Sequence, residues 1–274
     1  MTSEWEKVET AVSYIKKKTE IKPTIGIVLG SGLGDLAYEL SDHTRIPYED
    51  IPHFPLSTVE GHVGQLVFGQ LEGKNVVLMQ GRFHYYEGYS MKEVTFPVRV
   101  MQQLGIETFV VTNACGALHS TLSPGDLLVI QDHLNLTGTN PLIGKNDERF
   151  GPRFPDMSDA YDKQLQHLAH RAAETLGFSL KQGIYAGISG PNYMTRSELI
   201  MVRQLGADVV GMSTVPEVIV DRHGGLPVLG LSCITDMAIG ETMEGISHEE
   251  VMEVARQTKP RFMSLMKEII KQHP

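Results

Sequence analysis

Short apolar runs of strand length recur along the chain at residues 25–29, 76–80, 108–112, 127–130, 183–188, 208–212 and 228–234, and helical patterns at 91–104, 159–176 and 195–205 fall between several of them. This alternation constrains the fold most, because parallel strands need long crossovers and helices are the usual way to make them. The chain is therefore expected to be α/β, with a central mixed, largely parallel sheet flanked by helices. A helix over 3–18 opens it, with Trp5, Val8, Val12 and Ile15 on one face and Ser3 with Glu6 as a capping box. Another over 247–271 closes it, capped by Ser247 and Glu250 and turning Val251, Val254, Phe262, Leu265 and Ile269 to the core. A chain of 274 residues has room for one large domain or two small ones. With no repeat, low-complexity segment or linker-like break, one domain over 1–274 is expected.

In such folds ligands collect where strands end. The stretch Gly81-Arg82-Phe83-His84-Tyr85-Tyr86-Glu87-Gly88-Tyr89 follows a strand-like run and crowds a guanidinium, an imidazole, a carboxylate and aromatics between glycines. Arg82 offers a planar donor fork suited to phosphate, His84 a second donor or a proton carrier, and the tyrosines flat faces with hydroxyl handles. On its own an Arg-x-His is more often a satisfied loop, so a second cluster is needed. It lies upstream, where the run 25–29 enters Gly30-Ser31-Gly32-Leu33-Gly34-Asp35, followed by Leu36, Ala37 and Leu40 at helical spacing. Strand, glycine turn and helix is a layout in which backbone N–H groups can close on an anion. It is neither a Walker loop, which needs Lys and Ser or Thr after its last Gly, nor a dinucleotide fingerprint, whose third Gly is Asp35 here. Alone, such a turn is as often a tight backbone crossing.

Composition excludes several function classes. The formal charge of −9, from 24 basic and 33 acidic residues, argues against nucleic acid or an anionic membrane as partner, so a small anion must be held by local charge. With 41% hydrophobic residues and no apolar run of spanning length, a sizeable soluble core is expected. Glu4 and Glu6 stand where a signal peptide needs basic residues. Cys115 and Cys233, in apolar strand-like surroundings, read as reduced packing residues, which suits a cytoplasmic location. No Gly-x-Ser-x-Gly turn occurs, His248-Glu249-Glu250 is not a His-Glu-x-x-His, and metal ligands at standard spacing are absent. Neither a covalent nucleophile nor a metal or other cofactor is expected. The irregular stretch 132–155, with Phe150 and Phe154, is long enough to read as a functional loop.

Taken with Ser57 to His62, Val111 to Gly116, Arg153-Phe154-Pro155, Gly190 to Thr195, Val210 to Val218 and Ser247 to Val251, the two clusters make nearly the whole chain resemble the purine nucleoside phosphorylases of the trimeric type, within the nucleoside phosphorylase and methylthioadenosine phosphorylase family. The resemblance implies a nucleoside phosphorylase-like fold and reversible phosphorolysis of purine ribonucleosides or 2′-deoxyribonucleosides to the base and a pentose 1-phosphate, with inorganic phosphate as co-substrate and no cofactor. It places Ser31, His62, Arg82, His84, the Ala114 N–H and Ser213 around phosphate. Tyr86 and Met212 fall beside the secondary ribose hydroxyls and His248 at the 5′-hydroxyl. Tyr193, Met194, Val210 and Asp236 fall at the base, and His84, Glu87 and Asp236 carry the catalytic roles. Phe154 would reach the neighbouring subunit's site, implying a homotrimer.

At the base the chain departs from the pattern. Members that prefer 6-oxopurines carry Glu at the position of Met194 and Asn at that of Asp236. A thioether does not usefully accept from N1–H, and an ionised Asp236 repels O6 while accepting from a 6-amino group, so the pair points toward 6-aminopurines. A protonated Asp236 could donate to O6 or N7, which keeps inosine and guanosine open. Methylthioadenosine phosphorylases also carry Asp there, but their 5′ end is apolar where this chain has His248. Two other classes remain as alternatives: a dinucleotide-dependent oxidoreductase, weakened by the missing third glycine, and a non-catalytic nucleoside sensor, against which Arg82, His84, Glu87 and Ser213 argue.

Overall fold

The computed structural model describes residues 2–56, 58, 63–241, 245 and 247–274, without the side chain of His248. Helix α1 (Glu4–Ile15) carries the expected Ser3–Glu6 capping box and buries Val8, Val12 and Ile15. Strand β1 (Ile25–Leu29) is buried throughout. The glycine turn behind it leads not to an α-helix, as the spacing suggested, but to a short 3₁₀ turn at Gly34–Tyr38 that still buries Leu36 and Ala37. Strands β2 (Ser41–Pro47), β3 (Gln65–Leu71) and β4 (Lys74–Gln80) follow. β3 and β4 form a hairpin over Glu72 and Gly73, both at positive φ, the twist that two-residue hairpins favour.

Helix α2 (Met91–Leu104) leads into the long strand β5 (Thr108–Ala117), then β6 (Leu127–Asn135), α3 (Lys163–Thr175), β7 (Lys181–Gly187), α4 (Arg196–Gln204), β8 (Val209–Gly211), α5 (Val215–His223), β9 (Val228–Met237) and α6 (His248–Gln272). β6 therefore takes the first residues of the stretch expected to be irregular, and α3 starts at its Asp162 cap rather than at 159.

The sheet order is β2-β3-β4-β1-β5-β8-β7-β6-β9, and β9 also pairs with β5. The last five strands thus close into a ring. β1–β4, β1–β5, β5–β9, β6–β7 and β7–β8 are parallel, whereas β2–β3, β3–β4, β5–β8 and β6–β9 are antiparallel, so the sheet is mixed. One apolar cluster joins it to α1, α2 and α5, a second to α3 and α6, as a doubly covered α/β sheet requires. Among the described residues no helix is long and apolar enough to cross a membrane.

Candidate active site

Segments at the ends of β1, β4, β5, β8 and β9 meet around one cavity of about 370 Å³. Convergence of strand ends is what places a ligand site in this class of fold. Ser31 enters directly after β1. A Cβ on Gly30 would lie 2.7 Å from Asn113 Cα, so that glycine serves a tight crossing of β1 over β5, which in turn delivers Ser31 to the cavity.

Arg82 follows β4, where Tyr48 Oη donates to the Gly81 carbonyl at 2.6 Å and fixes the strand end. Its side chain is 1% exposed, Nε and Nη2 meet Glu217 Oε1 at 3.0 and 2.9 Å, and Nη1 donates to the Thr112 carbonyl at 2.6 Å and to Ser213 Oγ at 3.2 Å. A guanidinium this deep needs its counter-charge, because an unpaired buried charge is strongly destabilising. The fork is held in one plane with Ser213 beside it.

His84 is buried and stacks on Tyr86, with ring centroids 4.7 Å apart and planes 13° from parallel. Its Nδ1 lies 3.2 Å from Glu87 Oε1, and its backbone N–H donates to the same oxygen at 2.7 Å. Burial pushes the Glu87 carboxyl up, but hydrogen bonds from His84 and Thr58 outweigh it and bring it to about 2. Facing a carboxylate, Nδ1 must carry the ring proton, which puts the lone pair of the neutral imidazole on Nε2. Burial lowers the His84 pKa against the opposing pull of Glu87, so the ring is neutral near pH 7. Burial also raises Tyr86 to about 12 and keeps its hydroxyl a donor.

At the opposite end, β9 bulges against β5: Cys115 pairs with Ile234 but Gly116 with Asp236, leaving Thr235 as the extra residue. Bulges re-aim side chains next to sites. Here Thr235 Oγ1 lies 2.9 Å from Asp236 Oδ1 and 3.2 Å from the Cys115 carbonyl, and burial pushes the Asp236 carboxyl up. A Cβ on Gly116 would come within 2.7 Å of Asp236 Oδ2, so only glycine leaves room for that carboxyl. Met194 and Val210 give this end apolar walls, with Tyr193 at 44% exposure on its rim.

The structure thus brings together on one cavity Ser31, Arg82, His84, Tyr86 and Ala114 from the first half of the chain. From the second half come Tyr193, Met194, Val210, Met212, Ser213 and Asp236. Glu87 stands behind His84 rather than on the wall. Phe154, 86% exposed, lies apart at an open groove of about 500 Å³ with Ile143, Arg153 and His133. His62 and the side chain of His248 lie outside the described residues. Cys115 lines the cavity, and burial raises its thiol well above the ordinary value, which leaves it un-ionised.

Three supporting side chains escaped the sequence reading. Glu217 pairs with Arg82 across 135 residues, Tyr185 Oη accepts from the Ser213 N–H at 3.4 Å, and Thr235 holds Asp236. Only Glu217 carried a local signal, as the fourth residue of a Thr214-x-x-Glu217 helix cap.

The family model described as Phosphorylase superfamily matches residues 24–271. The chain is 54% identical over 264 residues to purine nucleoside phosphorylase 1 of Geobacillus stearothermophilus, covering 96% of each chain. Among solved structures it superposes on isoform 2 of the Schistosoma mansoni purine nucleoside phosphorylase in complex with cytosine and ribose-1-phosphate with a TM-score of 0.95, at 44% identity, covering 98% of this chain and 97% of that one. The S. mansoni purine nucleoside phosphorylase in complex with adenosine gives 0.94 at 44% identity, with 98% of each covered.

Proposed function

The chain belongs to the phosphorylase superfamily, and from that premise we propose that its cavity carries out the reversible phosphorolysis of purine nucleosides, giving the free base and a ribose 1-phosphate. The observation that carries this reading is one cavity with a buried guanidinium and two hydroxyls at one end and a buried carboxyl between apolar walls at the other.

Phosphate sits against Arg82, Ser31, Ser213 and the Ala114 N–H, where charge-assisted hydrogen bonds hold an anion in a net acidic protein. Nε2 of His84 accepts the hydrogen of monohydrogen phosphate, and Glu87 steadies the imidazolium that results. A phosphate oxygen then attacks C1′ while the C1′–N9 bond breaks, and its electron pair leaves on the purine. Tyr86 and Met212 orient the ribose. The Asp236 carboxyl, which burial pushes toward its protonated form, donates its proton to the purine as negative charge grows there, so the base leaves neutral and the His84 imidazolium can return the proton. The reaction so read uses phosphate as co-substrate and no cofactor, and the protein acts in the cytoplasm. An assay of inosine, guanosine and adenosine with and without phosphate tests it. Cleavage is expected only with phosphate, and equal turnover to free ribose in its absence would show a hydrolase.

The protein acts as a homotrimer in which Phe154 reaches the neighbouring subunit's cavity. Its support is the 86% exposure of Phe154 beside Ile143 at 65%, apolar surface that a partner would cover. Phe154→Ala is expected to raise the nucleoside KM several-fold with an unchanged circular dichroism spectrum. Sedimentation of a fully active monomer would contradict the shared site.

A further inference from the structure

Two of the phosphate-donor segments, those of Arg82 and Ser213, are tied to one carboxylate, that of Glu217 in the first turn of α5. Its Oε1 takes the Nε and Nη2 side of the Arg82 fork, at 3.0 and 2.9 Å, and its Oε2 accepts the Thr214 N–H at 2.7 Å. Thr214 sits at a φ of 73°, a region that β-branched residues avoid, so the turn needs holding. Asn113 Nδ2 adds a bond to the Thr214 hydroxyl at 2.9 Å, and the Ser213 hydroxyl lies 3.2 Å from both Thr214 Oγ1 and Arg82 Nη1. The plane of the guanidinium and the turn that presents Ser213 are therefore set by opposite oxygens of the same group.

We propose that Glu217 is a positioning residue for phosphate, locking Arg82 and Ser213 into a single donor array. This rests on the reading of Arg82 and Ser213 as phosphate donors. The chemistry requires a carboxylate, because both oxygens face donors. An amide has one acceptor oxygen and turns its NH₂ against either the guanidinium or the Thr214 N–H. Glu217 also neutralises Arg82 before any ligand arrives, so phosphate is held by directed hydrogen bonds more than by net charge, and its affinity depends on donor geometry. A residue that only caps α5 would share the Oε2 contact but would have no reason to sit on the guanidinium.

The test compares Glu217→Gln, Arg82→Met and the double variant by phosphate KM, nucleoside KM and the rise in Tm that phosphate produces. Glu217→Gln is expected to raise phosphate KM by about tenfold or more, and to shrink the phosphate-induced rise in Tm. Nucleoside KM should move less than about threefold. In the Arg82→Met background the same substitution should change phosphate KM less than about threefold, since its action passes through the arginine. An unchanged phosphate KM in Glu217→Gln, or an equal penalty in both backgrounds, would overturn the proposal. Glu217→Asp, which keeps both acceptors but is too short to reach the two donors together, gives the same comparison should the amide variant not fold. A normal phosphate KM in Arg82→Met would overturn the reading of Arg82 itself, and the inference with it.

Discussion

Arg82→Met is expected to raise the phosphate KM by roughly tenfold to a hundredfold, because it removes a charge-assisted hydrogen bond of about 1.5–3 kcal/mol and the donor that lines up the Ser213 hydroxyl. The nucleoside KM should change little, since Arg82 lies at one end of the cavity only. Stability should fall as well. The substitution strands the Glu217 carboxylate in the interior, and breaking a buried pair costs about 3–5 kcal/mol. Thermal unfolding and the two Michaelis constants separate these effects. A loss confined to nucleoside binding would mean that Arg82 has been placed at the wrong subsite.

The second large effect concerns the base. The resemblance sets Met194 and Asp236 at positions where 6-oxopurine enzymes have an acceptor and an amide, and adenosine is expected to be cleaved at a rate at least comparable with inosine. The reasoning is local to the cavity. Adenine N1 is a bare acceptor that loses little beside the Met194 thioether, and its amino group can donate to the Asp236 carboxyl. Hypoxanthine would leave N1–H unpaired, and an unpaired buried polar group costs about 1–3 kcal/mol, a factor of roughly ten to a hundred in preference. Burial pushes the Asp236 carboxyl up, and the protonated fraction can donate to O6 or N7, which keeps inosine within reach. Met194→Glu with Asp236→Asn should move the adenosine-to-inosine ratio of kcat/KM toward inosine by about tenfold to a hundredfold. Efficient cleavage of inosine and guanosine by the unaltered protein, with adenosine ignored, would show that Asp236 donates to O6 or is turned away.

How much of this could be read without coordinates follows from how local each signal is. The 81–89 cluster was legible because a guanidinium, an imidazole and a carboxylate between glycines at a strand end can be buried only with polar partners built for them, and His84 meets Glu87 three residues on. The glycine turn after β1 was legible as a feature but ambiguous in purpose, and it serves both readings: Gly30 allows the crossing over β5 while Ser31 reaches the cavity. β2 was missed because it is a largely exposed strand with little apolar patterning. Helix α5 was missed because Val215 to Asp221 is buried on every side, which erases the amphipathic period. The Arg82–Glu217 pair joins residues 135 apart, and Asp236 is aimed by a bulge; neither leaves a trace in local spacing.

Turnover in phosphate carrying ¹⁸O at every oxygen tests the central claim most directly, since phosphorolysis forms the new bond between C1′ and a phosphate oxygen. The account predicts a ribose 1-phosphate in which every oxygen of the phosphoryl group, the bridging one included, keeps the label. Unlabelled bridging oxygen, or release of free ribose with the labelled phosphate unconsumed, would contradict it.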